Sequence, residues 1–171
     1  MSIDNVNSDN HSRMSFEQAI INQDNCQLPV ELKHYPVIYP QMVQWGEMDA
    51  LNHLNNVVYY RYAESARISY LQTLGLFDGS AMLLAQSSCQ YLRPVTYPDN
   101  LLIGVRCQRL GNTSIILEYS YYSCTQYAIV ATAEAVIVRL DGNSEHKLPW
   151  TEQERTRLFA FEAQKGHVPK S

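Results

Sequence analysis

One long helical pattern governs what this chain can fold into. From about residue 56 to 74, Tyr59, Tyr62, Ala63, Ala66, Tyr70 and Leu74 recur at steps of three and four residues, which puts them on one face of an α-helix. Arg61, Glu64, Ser65 and Gln72 fall elsewhere around it. Asn55 stands where an N-cap is needed, with Leu54 before it and Tyr59 four residues inside as a hydrophobic staple, and Gly75 supplies the stop. A helix with one apolar face has to bury that face, so the remaining segments must supply the cover.

Beyond Gly75 the texture is that of strands. Residues 82–92 form one, closed by Arg93-Pro94, and residues 101–110 alternate, with Val105 and Cys107 facing one way and Arg106 and Gln108 the other. Gly111-Asn112 signals a hairpin into residues 113–124, where Ile115, Leu117, Tyr119 and Tyr121 share a face. Residues 127–140 put Ile129, Ala131, Ala133, Ala135 and Ile137 on one side, and so small a face lets a helix approach closely. Ahead of the helix, a first strand is predicted over residues 41–46, with Pro36 and Pro40 suited to a strand entrance or a sheet edge. The plan is a strand, a long helix and four antiparallel strands, an α+β layout in which one sheet covers one helix. Three regions follow: a polar, Asn-rich arm over 1–34, in which 16–21 could form one or two helical turns, a central domain over 35–150, and a charged tail over 151–171, helical from about 151 to 163.

Charge and cysteine usage narrow the partners. Lys and Arg number 13 against 17 Asp and Glu, a net charge of −4, with no basic block to displace counterions from a nucleic-acid backbone. No run approaches the roughly 20 apolar residues that span a bilayer, and the N-terminus lacks an apolar signal core, so the expectation is a cytoplasmic protein with neither nucleic acid nor membrane as partner. Cys26, Cys89, Cys107 and Cys124 are scattered, without a C-x-x-C pair or histidines at metal spacing; they read as free thiols in a reducing compartment, and no metal or other cofactor is expected. G-x-S-x-G, Walker A and G-x-G-x-x-G patterns are missing from the sequence, so an enzyme of this kind would have to work through a carboxylate.

The segment 45–56, Trp-Gly-Glu-Met-Asp-Ala-Leu-Asn-His-Leu-Asn-Asn, leads from the first strand into the helix and carries that carboxylate, Asp49. Asp in such a loop commonly caps backbone N–H groups. Next to a helix N-terminus it also sits beside the partial positive charge that a developing oxyanion needs, so Asp49 could attack a carbonyl or draw a proton from water while the first helical N–H groups hold the oxygen. His53 is either a hydrogen-bonding loop residue or a site residue. Glu64, off the apolar stripe, is either solvated, a subunit contact or a second carboxylate of the site, and the tyrosine stripe is core or part of a ligand pocket.

The run 45–56, continued by Tyr59, Arg61-Tyr62, Glu64 and Ala66-Arg67, resembles the acyl-CoA thioesterases of the 4-hydroxybenzoyl-CoA thioesterase type, which have the hotdog fold. Arg93-Pro94-Val95-Thr96-Tyr97-Pro98-Asp99, Arg109-Leu110-Gly111 and Leu117-Glu118-Tyr119 are similar too, so the resemblance covers about residues 35–150. It implies a curved antiparallel sheet around the central helix, and a homodimer or homotetramer whose subunits join their sheets with active sites at the interface. It further implies an acyl-CoA substrate, Asp49 as nucleophile or general base, and the Asn56 N–H as the group that polarises the thioester carbonyl. Asn55, Tyr59, His53, Glu64 and Arg93 are the expected substrate-binding residues. Arg93 ranks ahead of Arg106, Arg109 and Arg139 for the coenzyme A phosphates because it lies in the matched Arg-Pro pair. The chain departs from the usual pattern at Glu47, where Asp is common, at Asn52, where Gly is common and Asn is the best substitute for a left-handed backbone, and at Asn56, where some relatives carry His. Its Asn-Asn pair looks closer to the long-chain acyl-CoA branch. A non-catalytic module that binds acyl-CoA or acyl-carrier protein, and a hotdog dehydratase for which only His53 could serve, are the alternatives.

Overall fold

Helix α1 (Asn56–Thr73) is the centre of the molecule. In the computed structural model, which describes residues 28–76, 81–143 and 146–171, its N-terminus is capped as the sequence requires: Asn55 Oδ1 accepts the Val57 N–H at 3.2 Å, and Leu54 and Tyr59 are both buried beside it. Its C-terminus closes with the Leu76 N–H on the Leu71 carbonyl and the Gly75 N–H on the Gln72 carbonyl, with Gly75 at φ +63°. That paired arrangement needs a left-handed residue, and only glycine takes it without strain.

Among the described residues five strands form one antiparallel sheet in the order β1-β3-β4-β5-β2: β1 (Val37–Met42), β2 (Ala81–Tyr91), β3 (Asn100–Leu110), β4 (Ser114–Ser123) and β5 (Ala128–Leu140). The sheet and α1 form the α+β hotdog arrangement. The stripe Tyr59, Tyr62, Ala63, Ala66, Tyr70 and Leu74 packs into one core with Val105, Cys107, Ile115, Leu117, Tyr119, Tyr121, Ala131 and Ala135 from the sheet. Each fully buried Leu or Ile contributes about 1.5–3 kcal/mol, so this helix–sheet layer is the main source of stability. Pro40 lies in β1 opposite Leu102, and β1 is an edge strand, where a missing N–H costs no ladder bond.

Three expectations change. The first strand is Val37–Met42 rather than 41–46: it pairs with β3 from Val37 opposite Val105 to Met42 opposite Asn100. Past that point Gln44 and Glu47 form a reciprocal capping box that bends Trp45–Glu47 into a 3-10 turn. Ile129 does not share the face of Ala131. The register between β4 and β5 shifts after Tyr121, so Val130 enters the main core and Ile129 packs on the opposite side of the sheet with Leu32, Tyr35, Leu102 and Tyr122. Cys89 and Cys107 are free thiols, but Cys124 is disulfide-bonded; a bond needs only a second sulfur within reach in space, which spacing along the chain does not reveal.

The C-terminal helix α2 (Glu152–Ala163) begins at Thr151, which exchanges capping bonds with Glu154. It packs on the body of the fold, with Leu158 and Glu162 buried and Arg139 of β5 paired to Glu154 at 2.6 Å. The turns expected at 16–21 lie outside the described residues.

Candidate active site

The loop between β1 and α1 is folded back on itself. Met48 and Leu54 form an isolated antiparallel bridge, the Asp49 N–H donates to the His53 carbonyl at 2.7 Å, and the Asn52 N–H donates to the Asp49 carbonyl at 3.0 Å. Asn52 sits at φ +62°, the left-handed conformation that Asn tolerates better than other residues with a side chain. This closure aims the loop's amides inward. Asp49 Oδ1 accepts the Leu51 N–H at 2.8 Å and the His53 N–H at 3.0 Å, whereas Oδ2 takes no hydrogen bond from the described residues. The His53 N–H is the main reason the Asp49 carboxyl is held below its ordinary value, with the Leu51 N–H adding to it. Asp49 is therefore an ionised, partly exposed acceptor that caps its own loop and keeps one oxygen available.

Opposite it stands the start of α1. The first turn of an α-helix leaves its N–H groups without helical partners. Asn55 satisfies Val57 with its side chain and Val58 with its carbonyl, but the Asn56 N–H has no acceptor among the described residues. An unpaired N–H at the positive end of an 18-residue helix is a ready donor to a negative oxygen. The Leu54 N–H donates to the Val95 carbonyl at 2.7 Å, which brings the segment after β2 alongside the loop.

Asp49, His53, Asn56, Tyr59, Tyr91 and Arg93 thus line one cleft of about 340 Å³. Tyr59 forms part of its wall, with its ring edge-on to Tyr91 at 5.0 Å and to Tyr121 at 5.5 Å. Burial pushes the Tyr59 phenol up to about 12, so it stays neutral near pH 7. Tyr91 was not anticipated. Its hydroxyl donates to the Asn56 carbonyl at 3.3 Å, and its only signal in the sequence was a position two residues before the Arg-Pro pair.

Two expected site residues stand apart from this cleft. The Asn55 side chain is taken up by its cap. Glu64 is exposed and lines a separate hollow of about 260 Å³ with Arg67, Leu84 and Ala133, between α1 and the strands β5 and β2. Of the four candidate cations, Arg93 lies in the cleft. Arg106 is paired with Glu118 and stacked over Tyr35, Arg139 is buried against Glu154 and Trp150, and Arg109 is exposed on β3, beside Lys170.

Residues 43–158 match the model of the Thioesterase-like superfamily. A Bacillus subtilis protein, YsmA, is 29% identical over 120 residues, covering 68% of this chain and 81% of its own. The crystal structure of a Thermus thermophilus thioesterase complexed with coenzyme A and Zn is similar at 31% identity and a TM-score of 0.69, over 76% of this chain and 97% of that one. The PA5185 protein of Pseudomonas aeruginosa follows at 29% identity and a TM-score of 0.68, over 76% of this chain and 94% of its own. With the match running from the end of β1 into α2, the chain belongs to the thioesterase-like superfamily.

Proposed function

We propose that this protein is an acyl-CoA thioesterase of the 4-hydroxybenzoyl-CoA thioesterase type, releasing a free carboxylic acid and coenzyme A. The observation that carries the reading is the pairing, in one cleft, of an ionised carboxylate with an unpaired helix N-terminal N–H. Asp49 either adds to the thioester carbonyl, forming a mixed anhydride that water opens, or takes a proton from the water that adds. In both routes the carbonyl oxygen becomes negative and the Asn56 N–H stabilises it, the C–S bond then breaks, and the thiolate leaves and takes a proton from solvent. Tyr59 and the neighbouring apolar wall hold the acyl group, and Arg93 meets a phosphate of coenzyme A, the ligand held by the Thermus relative. Asn55 contributes by holding the helix start, and His53 by donating its N–H to Asp49.

The active form is a homodimer or a homotetramer. Strand β2 supports this: it is an 11-residue edge strand with β5 on one side and, among the described residues, an unpaired outer edge, and Leu83, Leu84, Tyr91 and Leu92 at or beside it are exposed. A free, apolar edge of that length is a template for a second copy. No helix among the described residues is long and apolar enough to cross a membrane. A panel of acetyl-, benzoyl- and palmitoyl-CoA, with coenzyme A release followed by a thiol reagent, tests the function. Turnover of at least one member is expected; tight binding without turnover of any would establish the non-catalytic module instead.

A further inference from the structure

We infer that Glu47 is a positioning residue that holds Asp49 and the start of α1 in a single mutual geometry, a role that rests on reading the cleft as a thioesterase site. Its side chain is 11% exposed and joins three partners. Oε2 accepts the Gln44 N–H at 2.9 Å and the Tyr62 hydroxyl, and Oε1 pairs with the Arg61 guanidinium. Its backbone is engaged as well: the Glu47 N–H donates to the Gln44 carbonyl at 3.1 Å, and the Glu47 carbonyl accepts the Asn55 N–H at 2.9 Å. One residue therefore grips the second turn of α1 with its side chain and the cap of the same helix with its backbone. Asp49 follows it by two residues, and Asn56 follows the cap by one.

The loop needs such an anchor because little of it is held by apolar burial. Trp45, Gly46, Ala50, Leu51, Asn52 and His53 are exposed, and between Gln44 and Asn55 only Leu54 is fully buried. Tyr62, by contrast, is a core residue of the rigid helix. A charge-assisted bond to a fixed hydroxyl transfers the rigidity of the core to the loop. The consequence is kinetic: displacement of a reacting group by about 1 Å costs on the order of 10²-fold in rate while leaving substrate contacts largely intact.

The test compares wild type, Glu47→Gln and Tyr62→Phe. Its two readouts are steady-state hydrolysis of the acyl-CoA panel and the titration of Asp49, followed by NMR with the aspartate carboxyls labelled with ¹³C. Glu47→Gln is expected to lower kcat by roughly ten- to a hundredfold with KM within about twofold. It should also move the Asp49 titration up toward the ordinary carboxylate value, since a loosened loop no longer presents the Leu51 and His53 amides. Tyr62→Phe, which keeps the carboxylate and its other two partners, should shift both readouts in the same direction by less, and it remains informative if Glu47→Gln folds poorly. An unchanged Asp49 titration in Glu47→Gln overturns the proposal whether or not kcat falls, because a purely structural role would cost folded protein without moving that titration. If wild type cleaves no acyl-CoA, the thioesterase reading fails, and the titration still decides whether Glu47 sets the geometry of Asp49.

Discussion

Replacing Glu162 by Leu should cost this fold a large part of its stability, and replacing it by Gln should not. Glu162 lies on α2 and is fully buried at 0% exposure. The Tyr70 hydroxyl donates to its Oε1 at 2.5 Å and the Cys107 N–H donates to the same oxygen at 2.6 Å, while Oε2 has no partner among the described residues. The Cys107 amide needs this acceptor because β1 pairs with β3 only as far as Val105. A leucine at this position would leave two buried donors unsatisfied at about 1–3 kcal/mol each, or roughly 2–6 kcal/mol in total, against a typical domain stability of about 5–15 kcal/mol. Gln keeps the accepting oxygen and should stay within about 1 kcal/mol of wild type. Burial, the largest influence on this carboxyl, raises it above its ordinary range. A raised folded-state value means that its stabilisation is complete below the ordinary value of about 4.3 and is lost as pH rises through the folded one, so the Gln variant should gain on wild type as pH increases. Urea unfolding followed by tryptophan fluorescence reports this directly, because Trp150 is buried at the entrance to α2. A Leu variant within about 0.5 kcal/mol of wild type, or a Gln variant as damaged as the Leu variant at neutral pH, would refute the bond assignment.

Two further changes probe the site and its surroundings. Asn55→Ala removes the acceptor for the Val57 N–H and should lower stability by about 1 kcal/mol in denaturant unfolding, with a larger proportional loss in kcat because the fraying turn carries the Asn56 N–H. Leu83→Arg combined with Leu84→Glu puts charges on the exposed residues of β2; if β2 forms the proposed interface, light scattering after gel filtration should show a monomer and hydrolysis should fall with it. A charged double variant that kept both its mass and its activity would remove β2 from the interface.

The parts of this structure that were legible in the sequence are those set by local rules. The stripe Tyr59, Tyr62, Ala63, Ala66, Tyr70, Leu74 is buried, Asn55 caps, Gly75 and Asn52 take the left-handed backbone, and the strands after the helix fall within a residue or two of their expected bounds. What escaped depends on neighbours distant along the chain. The register shift that turns Ile129 outward is a property of the β4–β5 pair, and no alternation within β5 contains it. Glu47 meets Arg61 and Tyr62 across 14 and 15 residues, so its anchoring role could not be read from the loop alone. Glu162 looked like one charge in a charged tail until Tyr70 and Cys107 were placed against it. Within the site, Asp49, His53, Asn56, Tyr59 and Arg93 do meet in one cleft, whereas Glu64 is turned to another. The two readings of Asp49 also turn out to be compatible, since one oxygen caps the loop and the other does not.

The central claim, that Asp49 carries the chemistry, is tested most directly by the kcat of Asp49→Asn on the acyl-CoA that wild type cleaves fastest. Asn retains an oxygen to accept the Leu51 and His53 amides, so the loop survives and only the ability to attack or to take a proton is lost. The expected result is a fall in kcat of about 10²–10⁴-fold with KM within a few fold. The wild-type rate should also persist with falling pH until below the ordinary aspartate value of about 3.9, as the amide bonds to Asp49 require. An Asn variant that turns over at the wild-type rate would contradict the account.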